Sequence, residues 1–274
     1  MSKQINYKKI NKEDIPVVIF CGGKGTRLQE ETQVIPKPLV KIGEKPILWH
    51  IMKIYSTYGF NNFILPVGYK GEKIKEYFYN YSFLQSDFTV CLNDHDRAVF
   101  YNPPKENWKV TVVDTGIETQ TGARLRKIEK FISNDLFMLT YGDGVADIDI
   151  NKLLKFHLSH AKIGTVTGIH PLPRLGFGKL AVKKDKVVRY KEKPKQKNSF
   201  INGGFFVFNR KIFKYLSPRG NSPFEKESLE RLSLDGQLMV YKHKGFWQCM
   251  DTLRDVEFLN QLWKSKKPPW KIWS

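Results

Sequence analysis

The residues best suited to do chemistry follow the first apolar run of the chain. That run is Pro16 to Cys21, and the stretch Phe20-Cys21-Gly22-Gly23-Lys24-Gly25-Thr26-Arg27-Leu28 ends it, with Pro36-Lys37-Pro38 a few residues on. Three glycines after a buried strand let backbone N–H groups approach a ligand closely, and the carboxyl edge of a parallel sheet is where α/β proteins bind ligands. Arg27 and Lys37 bring two cations to that edge, so the chemistry indicated is the handling of phosphate groups. The pattern is neither a P-loop, because no Gly-Lys pair stands four residues beyond Gly22 or Gly23, nor a dinucleotide fingerprint, because Leu28 occupies the place of the third glycine. Further along, Tyr141-Gly142-Asp143-Gly144 ends a second apolar run. Asp143 sits where a carboxylate can reach the same sheet edge and hold a hard divalent cation; a turn-forming Asp before glycine is the plainer alternative. Asp251, in Met250-Asp251-Thr252, opens the last helical stretch and reads from position alone as an N-cap.

The elements that must position these residues alternate. Pro16 to Cys21 is a short apolar run bounded by glycines, as in a strand buried on both faces. Apolar residues at 47, 48, 51, 54, 55 and 58 predict a helix opened by Pro46 and closed by Gly59; a strand follows at Asn62 to Val67 and a helix at Gly71 to Tyr81. Strand-helix-strand-helix predicts a right-handed, mostly parallel sheet covered on both faces: a Rossmann-like α/β fold. Short strands are expected at Phe88 to Leu92 and Trp108 to Asp114 around a polar loop, then strands at Leu136 to Tyr141 and Gly164 to Ile169 flanking a helix at Ile150 to His160. Lys179 to Tyr190 reads as an antiparallel pair, Phe205 to Phe208 as a strand, and Phe224 to Leu234 and Asp251 to Trp263 as helices. With no internal repeat and no linker, the expectation is a polar extension over 1–14 and one domain over 15–274 with a small antiparallel and C-terminal elaboration.

Composition excludes several classes. At 274 residues and 41% hydrophobic content the chain can bury a sizeable core, so disorder is not its main state. No apolar run approaches the roughly 18–20 residues of a membrane span, and the lysine-rich start lacks the apolar stretch of a secretory signal. Cys21, Cys91 and Cys249 are odd in number and far apart, which argues against disulfides or a zinc cluster; a cytoplasmic protein is expected. Forty-six bases against 27 acids give +19, pointing to an anionic partner. The basic run from Lys183 to Lys197 reads as a solvated hairpin, and the tail with Trp263, Trp270 and Trp273 as a segment docking on its own or a neighbouring subunit, so neither argues for nucleic acid. His157 and His160 share a helical face but lack a third ligand, and Asp147 and Asp149 read as helix-start acids.

The glycine loop with Thr-Arg-Leu and Pro-Lys-Pro resembles the fingerprint of the sugar-phosphate nucleotidyltransferase family. The similarity runs on through Leu48-Trp49-His50-Ile51-Met52-Lys53, Val113-Asp114-Thr115-Gly116, Thr121-Gly122-Ala123-Arg124-Leu125, Ile201-Asn202-Gly203-Gly204-Phe205-Phe206, Phe246-Trp247-Gln248-Cys249-Met250-Asp251-Thr252 and Pro269-Trp270-Lys271. Those segments resemble the members that join CTP to glucose 1-phosphate. The resemblance implies a nucleotidyltransferase fold, release of pyrophosphate with formation of CDP-glucose, Mg²⁺ as cofactor, a place in surface-polysaccharide synthesis and a homo-oligomer. UTP, dTTP or a heptose phosphate are the alternative substrates. It assigns Phe20, Cys21, Gly22, Gly23, Lys24, Gly25, Thr26, Arg27, Lys37, Thr119, Arg124 and Gly142 to the nucleotide, and Glu192, Lys193, Asn202 and Gly203 to the sugar phosphate. Arg27, Lys37 and Asp143 become catalytic, and Asp251 joins Asp143 as a metal ligand rather than a cap. Two departures stand out: Cys21 replaces the usual Ala, and Ile35 the Lys of close relatives.

Overall fold

The computed structural model describes residues 11–28, 32–92, 98–170, 179–191, 200–217, 220–265 and 267–273. Its framework is one nine-stranded sheet. The apolar run forms β1 (Val17–Phe20), every residue of it buried, with β4 (Asn62–Val67) on one side and β8 (Leu136–Tyr141) on the other, both parallel to it. β7 (Lys109–Asp114) extends this parallel half beyond β4. The chain therefore builds outward from β1 in one direction and then returns to its other side, which makes β1 a topological switch point, and the crevice beyond its carboxyl end begins at Cys21.

The sheet continues from β8 through β13 (Phe200–Asn209), which runs antiparallel to it, into β11 (Lys179–Lys183), β12 (Lys186–Lys191), β14 (Leu238–His243) and β10 (Gly164–Ile169). Two-stranded pieces attach at the margins: β2 (Lys41–Ile42) with β3 (Lys45–Pro46), β5 (Asp87–Val90) with β6 (Ala98–Tyr101), and β9 (Gly144–Ala146) with β15 (Trp247–Cys249). The segment expected to be a polar loop between the strands near 90 and 110 thus contains β6, and β14 was not anticipated at all.

Helices cover the sheet on both faces, dividing the apolar interior in two. On one face α1 (Ile47–Thr57) packs beneath β1 and β4, joined by α2 (Gly71–Tyr79), α3 (Tyr81–Gln85) and α5 (Ile150–His160). On the other, α4 (Thr121–Lys127) and α6 (Ser228–Leu234) pack over Val18, Phe20 and Phe206. The last helix, α7 (Leu253–Lys264), leads into the aromatic tail, which folds back on its own chain: Trp270 is buried, and Trp263, Trp270 and Trp273 surround His50. The His157 and His160 rings both hydrogen-bond the Thr165 hydroxyl.

Candidate active site

A crevice of about 240 Å³ opens at the carboxyl end of β1, lined by Phe20, Cys21, Gly23, Gly25, Thr26, Arg27, Lys37, Pro38, Thr121, Tyr141, Gly142 and Asp143. The glycines shape it in different ways. Gly25 has φ +62°, a left-handed conformation glycine adopts without strain, and it lets the loop turn over Thr32 and Lys37. Gly142 lies against the chain leaving β1: a Cβ there would be 2.8 Å from the Phe20 carbonyl oxygen and 3.3 Å from the Cys21 sulfur. Gly23 faces open space, so its backbone is free to meet a ligand.

At one end of the crevice three distant segments converge. Lys37 Nζ donates to Asp143 Oδ2 at 2.6 Å and to Asp251 Oδ1 at 2.7 Å, while Arg27 Nη1 pairs with Asp251 Oδ2 at 2.8 Å. Burial alone would lower the Lys37 pKa, but Asp143, Cys249 and Asp251 outweigh it and hold the ammonium above its ordinary range. Backbone pairing sets the geometry. Cys249 of β15 is registered with Gly144 of β9, and Met250 N–H donates to the Asp143 carbonyl at 2.8 Å, so the residues around 143 and 249 are locked side by side. The start of α7 is capped by Thr252, in a reciprocal box with Asp255. Asp255 Oδ2 also accepts from Asp251 N–H at 3.2 Å. The cap expected at Asp251 is thus made one residue later, and the Asp251 carboxylate is free to face Lys37.

Ligand atoms of Asp143, Cys249 and Asp251 all lie within 4.8 Å of one another. Two carboxylates drawn together around a buried ammonium form a pocket for positive charge, and the hard oxygen donors suit a divalent ion such as Mg²⁺. The residues present therefore fit the divalent metal that nucleotidyltransferases use.

The structure brings many of the residues singled out in the sequence to this crevice, and places others around it. Phe20, Cys21, Gly23, Gly25, Thr26, Arg27, Lys37, Gly142 and Asp143 line the crevice. Lys24 is at the rim, paired with Glu118 at 2.6 Å. Arg124 lies behind the loop: its guanidinium donates to the carbonyls of Val67 (2.9 Å), Gly22 (2.8 Å) and Ile117 (3.1 Å) and to the Thr115 hydroxyl (2.5 Å). A Cβ on Gly22 would be 2.3 Å from Arg124 Cζ, so that glycine makes room for the guanidinium. Thr119 likewise bonds inward, to the Thr115 carbonyl at 2.5 Å. Asn202 and Gly203 are on β13, where Asn202 Oδ1 accepts from Gly204 N–H and the Gly203 carbonyl accepts from Trp247 Nε1 at 2.7 Å. Gly204 packs on the Tyr141 ring that walls the crevice. Glu192 and Lys193 are outside the described residues.

Three residues escaped the sequence reading. Tyr141 and Thr121 line the crevice and both donate to Glu225, at 2.5 and 2.9 Å. Cys249 belongs to the carboxylate cluster, and a signal was available: it is two residues before Asp251 in extended chain, and such residues share a side.

The family model for nucleotidyl transferases matches residues 16–264. The chain belongs to that family. It is 47% identical over 257 residues to a glucose-1-phosphate cytidylyltransferase of Salmonella typhimurium (strain LT2), covering 93% of this chain and 98% of that one. A probable glucose-1-phosphate cytidylyltransferase of Bacillus subtilis (strain 168) is 45% identical over 256 residues, 93% of this chain and 99% of its own. The crystal structure of HddC from Yersinia pseudotuberculosis shares the fold, with a TM-score of 0.71 over 91% of this chain and 99% of that chain at 23% identity. Among the described residues, no helix is long and apolar enough to cross a membrane.

Proposed function

We propose that the chain transfers CMP from CTP to glucose 1-phosphate, giving CDP-glucose and pyrophosphate. The observation that carries this reading is the buried Lys37 ammonium held between Asp143 and Asp251 at the lip of a glycine-lined crevice. The extent of similarity to glucose-1-phosphate cytidylyltransferases supports the substrate pair.

The reaction asks for cations and alignment more than for a base. A phosphate monoester has a second pKa near 6, so at neutral pH the sugar phosphate is mostly a dianion whose oxygen attacks the α-phosphorus directly. The glycine loop offers backbone N–H groups to the triphosphate, Arg27 clamps it, and Lys37 meets the charge that grows at the α-phosphate. Arg124 supports the loop from behind, and Asn202, Gly203, Glu192 and Lys193 hold the sugar phosphate. Asp143 and Asp251 would hold the metal, Mg²⁺ in this reading, which when bound would supply neutralisation of the phosphate charge. For that, Lys37 exchanges its carboxylate partners for phosphate oxygen.

The test is pyrophosphate release with Mg²⁺ and glucose 1-phosphate, run separately with CTP, UTP, dTTP, ATP and GTP. Turnover confined to CTP is the expected result. Preference for another nucleotide refutes the base assignment, and activity only with another sugar 1-phosphate refutes the acceptor.

A further inference from the structure

We propose that Cys249 makes this metal site a binding site for thiophilic divalent cations such as Cd²⁺ and Zn²⁺, which Asp143, Asp251 and the Cys249 sulfur hold together. The proposal rests on the same site as the proposed function but not on its substrates.

The three ligand atoms are within 4.8 Å of one another. An ion bound at about 2.0–2.3 Å to oxygen and sulfur in tetrahedral geometry needs its ligands about 3.5 Å apart, a closure that side-chain rotation provides. The cluster is held by backbone on both sides: Met250 N–H on the Asp143 carbonyl, Cys249 in register with Gly144, and Asp255 gripping the main chain at Asp251 and Thr252. The Cys249 thiol is buried beside Asp143, Lys37, Asp251 and Arg27; burial raises its pKa, so with no metal bound it stays protonated and the arriving ion must displace the proton. A buried cation, the Lys37 ammonium, already bridges the two carboxylates, which shows that the cluster accommodates positive charge.

Donor type decides which ion uses which atoms. Mg²⁺ takes oxygen and leaves sulfur aside, whereas Cd²⁺ and Zn²⁺ bind thiolate strongly. On binding, the S–H bond of Cys249 breaks, its proton passes to solvent, and the sulfur electron pair forms the metal bond as Lys37 Nζ leaves the carboxylates. Three protein ligands leave one position open, and an ion so held occupies the place that Mg²⁺ needs.

The measurement is a Cd²⁺ titration of the whole chain followed by the ultraviolet thiolate-to-cadmium charge-transfer band. Exposed Cys91 is first replaced, so the background is Cys91→Ser. The expected result is a band that saturates at one ion per chain and that excess Mg²⁺ pushes to higher Cd²⁺. Adding Cys249→Ser should abolish the band and weaken Cd²⁺ binding by about tenfold or more. Cys249→Asp, which keeps a ligand atom, should bind Cd²⁺ without the band. No band in the Cys91→Ser chain, or a band that survives Cys249→Ser, overturns the proposal. The titration contains no nucleotide or sugar, so its outcome and that of the turnover assay stand apart.

Discussion

Lys37 has two partners whose chemistry depends on what else is bound. Without a metal it neutralises Asp143 and Asp251; with substrates its charge is needed at the phosphate. Lys37→Ala should therefore reduce kcat/KM by about 10²–10³-fold, the usual cost of removing one positioned donor. The same variant should bind Mg²⁺ more tightly, since the competing ammonium is gone and two crowded carboxylates remain. Turnover near that of the unaltered chain, or weaker Mg²⁺ binding by calorimetry, would contradict the assignment. Asp143→Asn keeps the shape and removes a negative ligand, so Mg²⁺-dependent turnover should be lost; an unchanged response of turnover to Mg²⁺ would show that another carboxylate holds the metal. Because the carboxylates in the free chain, and phosphate oxygen once substrates are bound, both favour the charged ammonium, deprotonation of Lys37 should not appear in a rate–pH profile between pH 6 and about 10.

The elements decide whether these side chains meet. β1, β4, β8, α1 and α5 were legible because each is a run with one clear period: continuously apolar for the buried strands, threefold and fourfold spacing for the helices. The glycine loop was legible because its composition has few other uses. β14 was not, since Leu238–His243 ends in lysine and histidine and owes its place to pairing with β10, a partner some 70 residues away. The direction in which Arg124 points was hidden for the same reason: α4 places it in sequence, but only the fold shows that the carbonyls of Gly22, Val67 and Ile117 surround it. Removing that hub strands buried acceptors, so Arg124→Ala should cost about 3 kcal/mol of stability and raise the KM for the nucleotide, with no rescue by Lys, which lacks the planar fork. At the other side of the crevice, Asp255 anchors the turn that carries Asp251. Asp255→Asn keeps the volume and weakens the capping box, and should lower metal affinity by about 10–100-fold, as loss of a positioning partner commonly does. A variant equally destabilised in melting but unchanged in metal affinity would assign Asp255 to the helix alone.

At the scale of the whole molecule, the C-terminal tail closes the fold around a histidine that must stay neutral. His50 Nε2 donates to the Ile42 carbonyl at 2.9 Å, while Nδ1 faces the indole N–H of Trp270 at 3.4 Å and can only accept. Burial lowers its pKa from 6.5 to about 4, and a proton added at Nδ1 would oppose the Trp270 donor. His157 is pushed down to about 3 by burial and by His160, which burial lowers to about 4. In the unfolded chain these rings take up protons near pH 6.5, and in the folded chain only near 4 or below. Between those values the unfolded state binds more protons, so stability is full above about pH 6.5 and falls as pH drops towards 4. The loss should be on the order of 2 kcal/mol per ring by pH 4. Melting temperature should thus decline steeply from pH 7 to pH 4.5. His50→Gln, which retains a donor for Ile42, should lower the melting temperature at pH 7 but flatten that decline, whereas a slope identical to that of the unaltered chain would show that the Trp270 contact does not carry it.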